Sequence, residues 1–160
     1  ICKINKLVCG DNLIINAGFL RTVPVTIGGT SWCLDIPIKS QIKEELSGIH
    51  NIENPTDRAI TLMLYLIRKQ MFLDGNKRTA MLAGNQVMIS SGCGVISVPI
   101  EHQRDFTTML VQFYESNDME PLKAFVYDYC IDGIAFEPTA ELETHFENDY
   151  ENEDDEDLEQ

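Results

Sequence analysis

The sequence lacks the features that define several protein classes. None of its apolar runs approaches the roughly 18 residues of a membrane span, and no charged segment leads into an apolar one as in a secretion signal. The five cysteines are an odd number, with no C-x-x-C pair and no clustered histidines, so neither a disulfide framework nor a zinc site is predicted. We therefore expect a cytoplasmic protein with reduced thiols and no membrane partner.

Positive charge is also scarce, because 12 Lys and Arg residues stand against 26 Asp and Glu residues, for a net charge of −14. Much of this excess is local: residues 141–160 hold eleven acidic residues and no Lys or Arg, which leaves −3 for residues 1–140. A like-charge block of this kind is typical of a solvated, disordered tail, with an interaction tail as the alternative. The nearly balanced body predicts no nucleic-acid partner.

The length bounds the domain organisation. A chain of 160 residues amounts to one domain, which buries roughly two-thirds of the surface that its unfolded form exposes. We predict a single domain over residues 1–137, followed by an acidic tail over residues 138–160. The chain begins at Ile1 rather than at Met, so a truncated N-terminus is expected. The sequence carries no indication of an oligomeric state.

Apolar periodicity predicts a mainly α fold, with a core of five or more helices and one β-hairpin. The helix that begins at Asn54 and Pro55 is apolar nearly all round, so we expect it at the centre of the domain. The helix over residues 77–90 is predicted to have Ala80, Ala83 and Val87 on its close-packed side, with Gly84 as a further candidate. Further helices are predicted at residues 1–8, 38–46, 103–114 and 119–129, and a short extended piece at residues 95–100.

The predicted hairpin lies at residues 19–33, a segment that we call the flap. Its first arm is rich in β-branched residues, and Gly28 and Gly29 follow as the turn. Pro24 lacks a backbone N–H, which makes the first arm an edge strand. Such an edge is either covered by the protein itself or available for another chain to add a strand, and the sequence leaves both interpretations open.

Residues 70–78, which we call the phosphate loop, contain the most informative motif. It combines an acid, a glycine, an amide and two cations directly before a helix. If Gly75 turns the chain, the unpaired N–H groups of the first helical turn converge on one point, where Asn76 can donate its amide and Arg78 can bind two phosphate oxygens. The carboxylate of Asp74 can hold Mg²⁺ against the same phosphates. A lone D-G-N also occurs in ordinary tight turns, but the string F-x-D-G-N-K-R-T-A after a buried helix is far more specific.

This string resembles the active-site motif of the Fic/Doc (Fido) family, which runs His-x-Phe-x-Asp/Glu-Gly-Asn-Gly/Lys-Arg. The segment at residues 18–29 is similar to the one that leads into the family's flap, and residues 106–118 and 122–133 resemble its two closing helices. The resemblance covers roughly residues 3–134. It implies a helical core with a flap, and an activity that transfers AMP from ATP to a Ser, Thr or Tyr hydroxyl of a protein, or a phosphate in Doc-type members.

The resemblance also implies roles for individual residues. Asp74 would bind Mg²⁺, Gly75 and Asn76 with the following amides would cradle the phosphates, and Arg78 would hold a phosphate of the nucleotide. Lys77 occupies a position where the family has Gly or Lys, and Phe72 would anchor the loop in the core.

The flap has a role of its own in the resemblance. Its first arm would align a target protein by main-chain strand addition. The residues that would contact the target are Val23, Val25, Thr26 and Ile27.

The departure from the family pattern falls on the position of the catalytic base, where this chain has Gln70. A neutral amide has no useful proton affinity near pH 7, and general base catalysis is typically worth about 10²–10⁴-fold. His50, His102 and His145 lie outside the motif and are interpreted as ordinary surface or loop histidines.

Three hypotheses follow from the sequence. The first is an adenylyltransferase-type domain that binds ATP and Mg²⁺ but transfers AMP weakly or not at all. The second is a non-catalytic interaction module that uses the flap edge or the acidic tail. The third is a Doc-like phosphotransferase with altered chemistry and a base that the motif does not reveal.

Overall fold

The computed structural model describes residues 1–10, 16–30 and 33–133, and it confirms the prediction of a mainly α fold. The predicted tail at residues 138–160, the end of the predicted domain at residue 137 and His145 lie outside these residues. The described residues form six α-helices, four short strands and one 3₁₀ turn at Ile100–His102. In chain order the helices and strands are α1 (Cys2–Cys9), β1 (Val25–Thr26), β2 (Cys33–Leu34), α2 (Lys39–His50), α3 (Pro55–Lys69), α4 (Asn76–Ser90), β3 (Val95–Ile96), α5 (Gln103–Ser116), α6 (Glu120–Tyr129) and β4 (Ile131–Asp132).

Helix α3 forms the centre of the core, as its all-round apolar pattern predicts. It begins where the sequence indicates: the Asn54 side chain accepts a hydrogen bond from the N–H of Asp57 at 3.0 Å, and Pro55 occupies the first turn. Its buried residues are Ala59, Ile60, Thr61, Met63, Leu64, Leu66 and Ile67. Helix α3 packs more extensively against α4 than against any other described element.

Small residues let α3 and α4 approach each other closely. Ala80 and Ala83 are buried, and a Cβ atom at Gly84 would lie 3.1 Å from the Ala59 carbonyl oxygen. The close-packed side predicted for α4 is therefore confirmed at Ala80, Ala83 and Gly84. Because the two helices are fixed against each other, the phosphate loop that joins them has fixed ends.

The flap is an antiparallel hairpin, with Val25 paired to Leu34 and Thr26 paired to Cys33. The hairpin is confirmed, but the prediction of a first arm that extends from Phe19 is wrong, because β1 contains only two residues. Two features shorten it: the N–H of Arg21 donates to the Met71 carbonyl instead of to a strand, and Pro24 has no N–H to donate.

Strand β3 confirms the start of the extended piece predicted at residues 95–100, but its antiparallel pairing with β4 was not predicted. Val95 pairs with Asp132 and Ile96 with Ile131, which closes the chain after α6 onto the segment after α4. Each strand has two residues, so no alternating pattern could reveal it.

The structure also bears on the expectations about thiols and membranes. Among the described cysteines, Cys2, Cys9, Cys93 and Cys130 are free thiols. Over the described ranges, no helix combines the length and the apolar character needed to cross a membrane.

Candidate phosphate site

The phosphate loop reverses the chain between α3 and α4 through two residues in the left-handed region. Gln70 ends α3 with φ 44° and ψ 57°, and its N–H donates to the Leu66 carbonyl at 3.3 Å. Gly75 precedes α4 with φ 73° and ψ 8°. Glycine adopts this conformation without the steric cost of a Cβ atom, whereas glutamine adopts it only where the surroundings hold it there.

The side chain of Asn76 shapes the loop from inside. Its Oδ1 atom accepts from the N–H of Phe72 at 2.9 Å, and its Nδ2 atom donates to the Phe72 carbonyl at 2.8 Å. Phe72 itself is buried, which confirms it as a core anchor. The carboxamide of Asn76 thus binds the loop backbone instead of pointing to an anion, as its motif position had led us to expect. The group of Asn76 that could bind a phosphate is therefore its backbone N–H.

Helix α1 forms the floor beneath the turn at Gly75. A Cβ atom at this position would lie 2.7 Å from Cys9 Sγ, 3.1 Å from Val8 Cγ1 and 3.2 Å from Asn5 Nδ2. Real Cβ atoms almost never come within 3.0 Å of another heavy atom, so any larger residue would force Cys9 or the loop to shift. Two separate constraints therefore favour glycine at position 75: the left-handed backbone conformation and the close contact with α1.

Asn5 holds α1 against the phosphate loop by hydrogen bonds. This role of Asn5 was not predicted. The residue is 1% exposed, and its Nδ2 atom donates to the Asp74 carbonyl at 2.9 Å and to Thr79 Oγ1 at 3.1 Å. Its Oδ1 atom accepts from the N–H of Gly18 at 2.8 Å. The only available signal was a polar residue on the same helical face as Cys9, four residues later, and such spacing alone gives no partner.

The charged groups of the loop remain exposed at the mouth of a hollow of about 420 Å³. The side chains of Asp74 and Arg78 are 58% and 61% exposed, with Asp74 Oδ1 and Arg78 Nη2 3.8 Å apart. The N–H of Gly75 donates to Asp74 Oδ1 at 2.5 Å, which orients the carboxylate. The residues that line the hollow are Gln70, Leu73, Asp74, Gly75, Asn76, Lys77 and Arg78. The structure thus brings together all of the predicted loop residues of the site.

The start of α4 adds backbone donors to this hollow. No side chain caps the helix, so the N–H groups of its first turn have no acceptor within the helix. The helix dipole places partial positive charge at the same end. A carboxylate, a guanidinium and a helix N-terminus therefore face one opening, which is the arrangement suited to a phosphate with a bound cation.

The residues that line the hollow are suited to bind a metal ion that is already coordinated by phosphates. In the described part of the chain, no group of three or more His, Cys, Asp or Glu side chains is arranged to hold a metal ion. Mg²⁺ is commonly bound by one or two carboxylates, with substrate phosphates and water completing its shell. The exposed Asp74 carboxylate meets that requirement.

The side chain of Gln70 is oriented back toward α3. Its Nε2 atom donates to the Ile67 carbonyl at 2.7 Å. The buried Tyr114 hydroxyl lies beside this carboxamide without forming a well-directed hydrogen bond. Burial raises the pKa of Tyr114 to about 12, and Gln70 opposes the rise only in part, so this tyrosine is a weaker acid than an exposed one.

The described histidines lie away from the hollow. His50 is exposed at the end of α2, and His102 packs on Phe125 and Tyr129, with ring centroids 5.8 Å and 4.8 Å away. Neither residue lines the hollow. Among the described residues, the titratable side chains that do line it are Asp74, Lys77 and Arg78.

The flap is joined to the phosphate loop by Arg21, another residue to which the sequence analysis gave no role. Arg21 is 2% exposed, and its Nε atom donates to the Gln70 carbonyl at 2.7 Å. Along the first arm of the flap, Val23 and Thr26 are exposed, while Val25 and Ile27 are partly buried. Docking of a target on these residues remains a prediction.

The described residues thus form a helical core with a small antiparallel flap, set beside a D-G-N-K-R loop that opens a helix. A sequence model of the Fic/DOC family matches residues 1–88, which include both the flap and the phosphate loop. The chain belongs to the Fic/DOC family.

Two curated relatives carry the same name, Protein adenylyltransferase fic-1, one from Caenorhabditis elegans and one from Caenorhabditis briggsae. Each is 25% identical to this chain over 130 residues, which is 79% of this chain and 25% of the relative. The chain therefore spans about a quarter of the length of the curated relatives that it matches.

Proposed function

We propose that this domain binds ATP together with Mg²⁺ in the hollow at residues 70–78, as a protein adenylyltransferase does. We further propose that it transfers AMP to a protein hydroxyl weakly or not at all, because Gln70 occupies the position of the family's base. The observation that carries the proposal is the exposed pair of Asp74 and Arg78 at the uncapped start of α4.

Each group in the hollow has a distinct task in this proposal. Asp74 holds the metal ion, which supplies charge neutralisation between the phosphates when it is bound. The backbone N–H groups at the start of α4 bind phosphate oxygens, and Arg78 binds two further oxygens in a planar fork. Lys77 is exposed beside them and adds positive charge.

The weakness of transfer follows from the chemistry at residue 70. Attack on phosphorus by a hydroxyl is helped by a group that accepts its proton, and a carboxamide cannot do so near pH 7. Tyr114, beside Gln70, does not replace the base, because a phenol is already protonated near pH 7 and burial raises its pKa further. Nucleotide binding is separate from this loss, since other residues form the phosphate site.

The partner of the flap is proposed to be an extended segment of a target protein that carries a Ser, Thr or Tyr hydroxyl. Strand β1 pairs with β2 on one side, and no other described strand pairs with it. Its second edge can therefore accept main-chain hydrogen bonds from an added strand. The same free edge supports the alternative function, a non-catalytic interaction module.

Thermal unfolding with and without Mg–ATP tests nucleotide binding. At about 100 times its dissociation constant a ligand stabilises the folded state by about 2.7 kcal/mol, which corresponds to a rise in Tm of about 5–10 °C. We expect Asp74→Asn and Arg78→Gln to remove this rise. The matched controls Asp105→Asn and Arg104→Gln, both exposed on α5, should keep it. No rise in the unmodified chain would contradict the proposal.

A comparison of the unmodified chain with Gln70→His tests the proposed loss of transfer. Both forms are incubated with labelled ATP and a cell lysate, and labelled proteins are counted. We expect label transfer only by Gln70→His, at roughly 10²–10⁴ times the rate of the unmodified chain. Equal labelling by both forms refutes the assigned effect of Gln70, and no labelling by either form favours the interaction module.

A further inference from the structure

Arg21 is a buried cation between the flap and the phosphate loop. Besides the bond to the Gln70 carbonyl, its Nη1 atom donates to the Val23 carbonyl at 2.8 Å and its Nη2 atom to the Asp35 carbonyl at 2.5 Å. These acceptors belong to the end of α3, the approach to β1 and the segment after β2. One planar guanidinium therefore ties both arms of the flap to the start of the phosphate loop.

Among the contacts that anchor the phosphate loop are those of three residues, and one of these residues also bonds the flap. Asn76 holds Phe72, and Asn5 holds the Asp74 carbonyl. The third anchor is Arg21, whose backbone N–H also donates to the Met71 carbonyl at 2.9 Å. Of these three residues, Arg21 is the one that also bonds the arms of the flap. A ligand that orders the loop would therefore act on the flap through Arg21.

The flap depends on such an attachment because it is small. It contains two residue pairs. Its other described attachments include the packing of Ile27 against the core and a hydrogen bond from the Thr30 hydroxyl to Glu115 on α5. A two-stranded hairpin is marginally stable by itself in water. Among these attachments, the hydrogen bonds from Arg21 are the ones that join both arms of the flap to the phosphate loop.

We propose that Arg21 is a positioning residue that couples the flap to the nucleotide site, so that Mg–ATP at residues 70–78 orders the edge on which a target segment docks. This inference rests on the proposed function. Coupling between two sites is reciprocal, so a docked segment tightens the binding of Mg–ATP by the same factor. Lysine cannot replace Arg21, because one ammonium group does not match three carbonyls in fixed directions.

Amide hydrogen exchange of the unmodified chain, with and without Mg–ATP, tests the coupling. We expect slower exchange at residues 76–79 and, at Val25 and Thr26, a slowing of at least about fivefold, the lower end of typical coupling between sites. In Arg21→Lys the slowing at residues 76–79 should persist, whereas the slowing at the flap should disappear. The control Arg58→Lys alters an arginine that donates to the Ile52 carbonyl at 3.1 Å, and it should behave like the unmodified chain.

The outcomes separate this inference from the function on which it rests. Slowing at residues 76–79 with an unchanged flap in the unmodified chain overturns the coupling alone. Equal flap slowing in Arg21→Lys overturns the role of Arg21. If neither region responds in the unmodified chain, the proposed function fails and the coupling fails with it. Should Arg21→Lys lose its fold by circular dichroism, Arg21→Gln replaces it, with the same loss expected at the flap.

Discussion

Replacement of Gly75 by alanine tests whether α1 forms the floor of the phosphate site. The residue has φ +73°, and the added Cβ would lie 2.7 Å from Cys9 Sγ. The left-handed conformation costs a non-glycine residue roughly 1–2 kcal/mol, and overpacking typically adds about 1–3 kcal/mol. We therefore expect Gly75→Ala to lower the free energy of unfolding by about 2–5 kcal/mol.

Gly92 provides the matched control, because it follows the other end of α4. It has φ +66°, but a Cβ atom there would meet nothing within 4 Å. Gly92→Ala should therefore show the conformational cost alone, about 1–2 kcal/mol. The difference between the two variants isolates the contact with α1.

Urea unfolding followed by circular dichroism measures both variants. If their losses agree within about 0.5 kcal/mol, the usual error of additivity, the claimed contact with α1 does not exist. A double variant sharpens the test. Cys9→Ala removes the atom nearest to the added Cβ, so Gly75→Ala should cost less in the Cys9→Ala background than in the unmodified chain.

Three further changes test other parts of the structure. Asn5→Leu leaves buried polar groups without partners and should cost about 1–3 kcal/mol in urea unfolding; a loss below this range would contradict the role assigned to Asn5. Asn54→Ala removes the cap of α3 and should cost about 1 kcal/mol, whereas Asn54→Asp should cost much less. Burial acts to raise the pKa of Glu45, but hydrogen bonds from Lys69 and Tyr65 and the Lys69 charge outweigh it and lower that pKa. The charged Glu45 carboxylate therefore stabilises the folded state above its unfolded pKa of about 4.3. This stabilisation is lost as the pH falls through the lower pKa of the folded state. Over that range, Glu45→Gln should show a shallower decline of Tm than the unmodified chain; identical declines would contradict this assignment.

Local signals explain what the sequence could predict. The start of α3 was recognisable because Asn54 and Pro55 act on their immediate neighbours, and its central place followed from apolar residues on every side. The phosphate loop was recognisable because its residue types stand in one short string. Each of these features depends on contacts within a few positions along the chain.

The remaining features depend on contacts between distant residues. Arg21 bonds three backbone carbonyls, and every residue carries a carbonyl, so no pattern of side chains identifies its partners. Asn5 reaches the phosphate loop from α1 for the same reason. Asn76 is the opposite case, because its position in the motif led to a prediction that was wrong. Its carboxamide was predicted to bind an anion, but it forms hydrogen bonds with the Phe72 backbone.

The left-handed backbone at Gln70 has a consequence for how such a domain changes over evolution. Histidine is among the residues enriched several-fold at positive φ, so the backbone at residue 70 is compatible with either side chain. What the exchange would remove is the side-chain hydrogen bond from Gln70 Nε2 to the Ile67 carbonyl. The positive φ at residue 70 therefore sets no barrier to a change of side-chain chemistry at this position while the fold is kept.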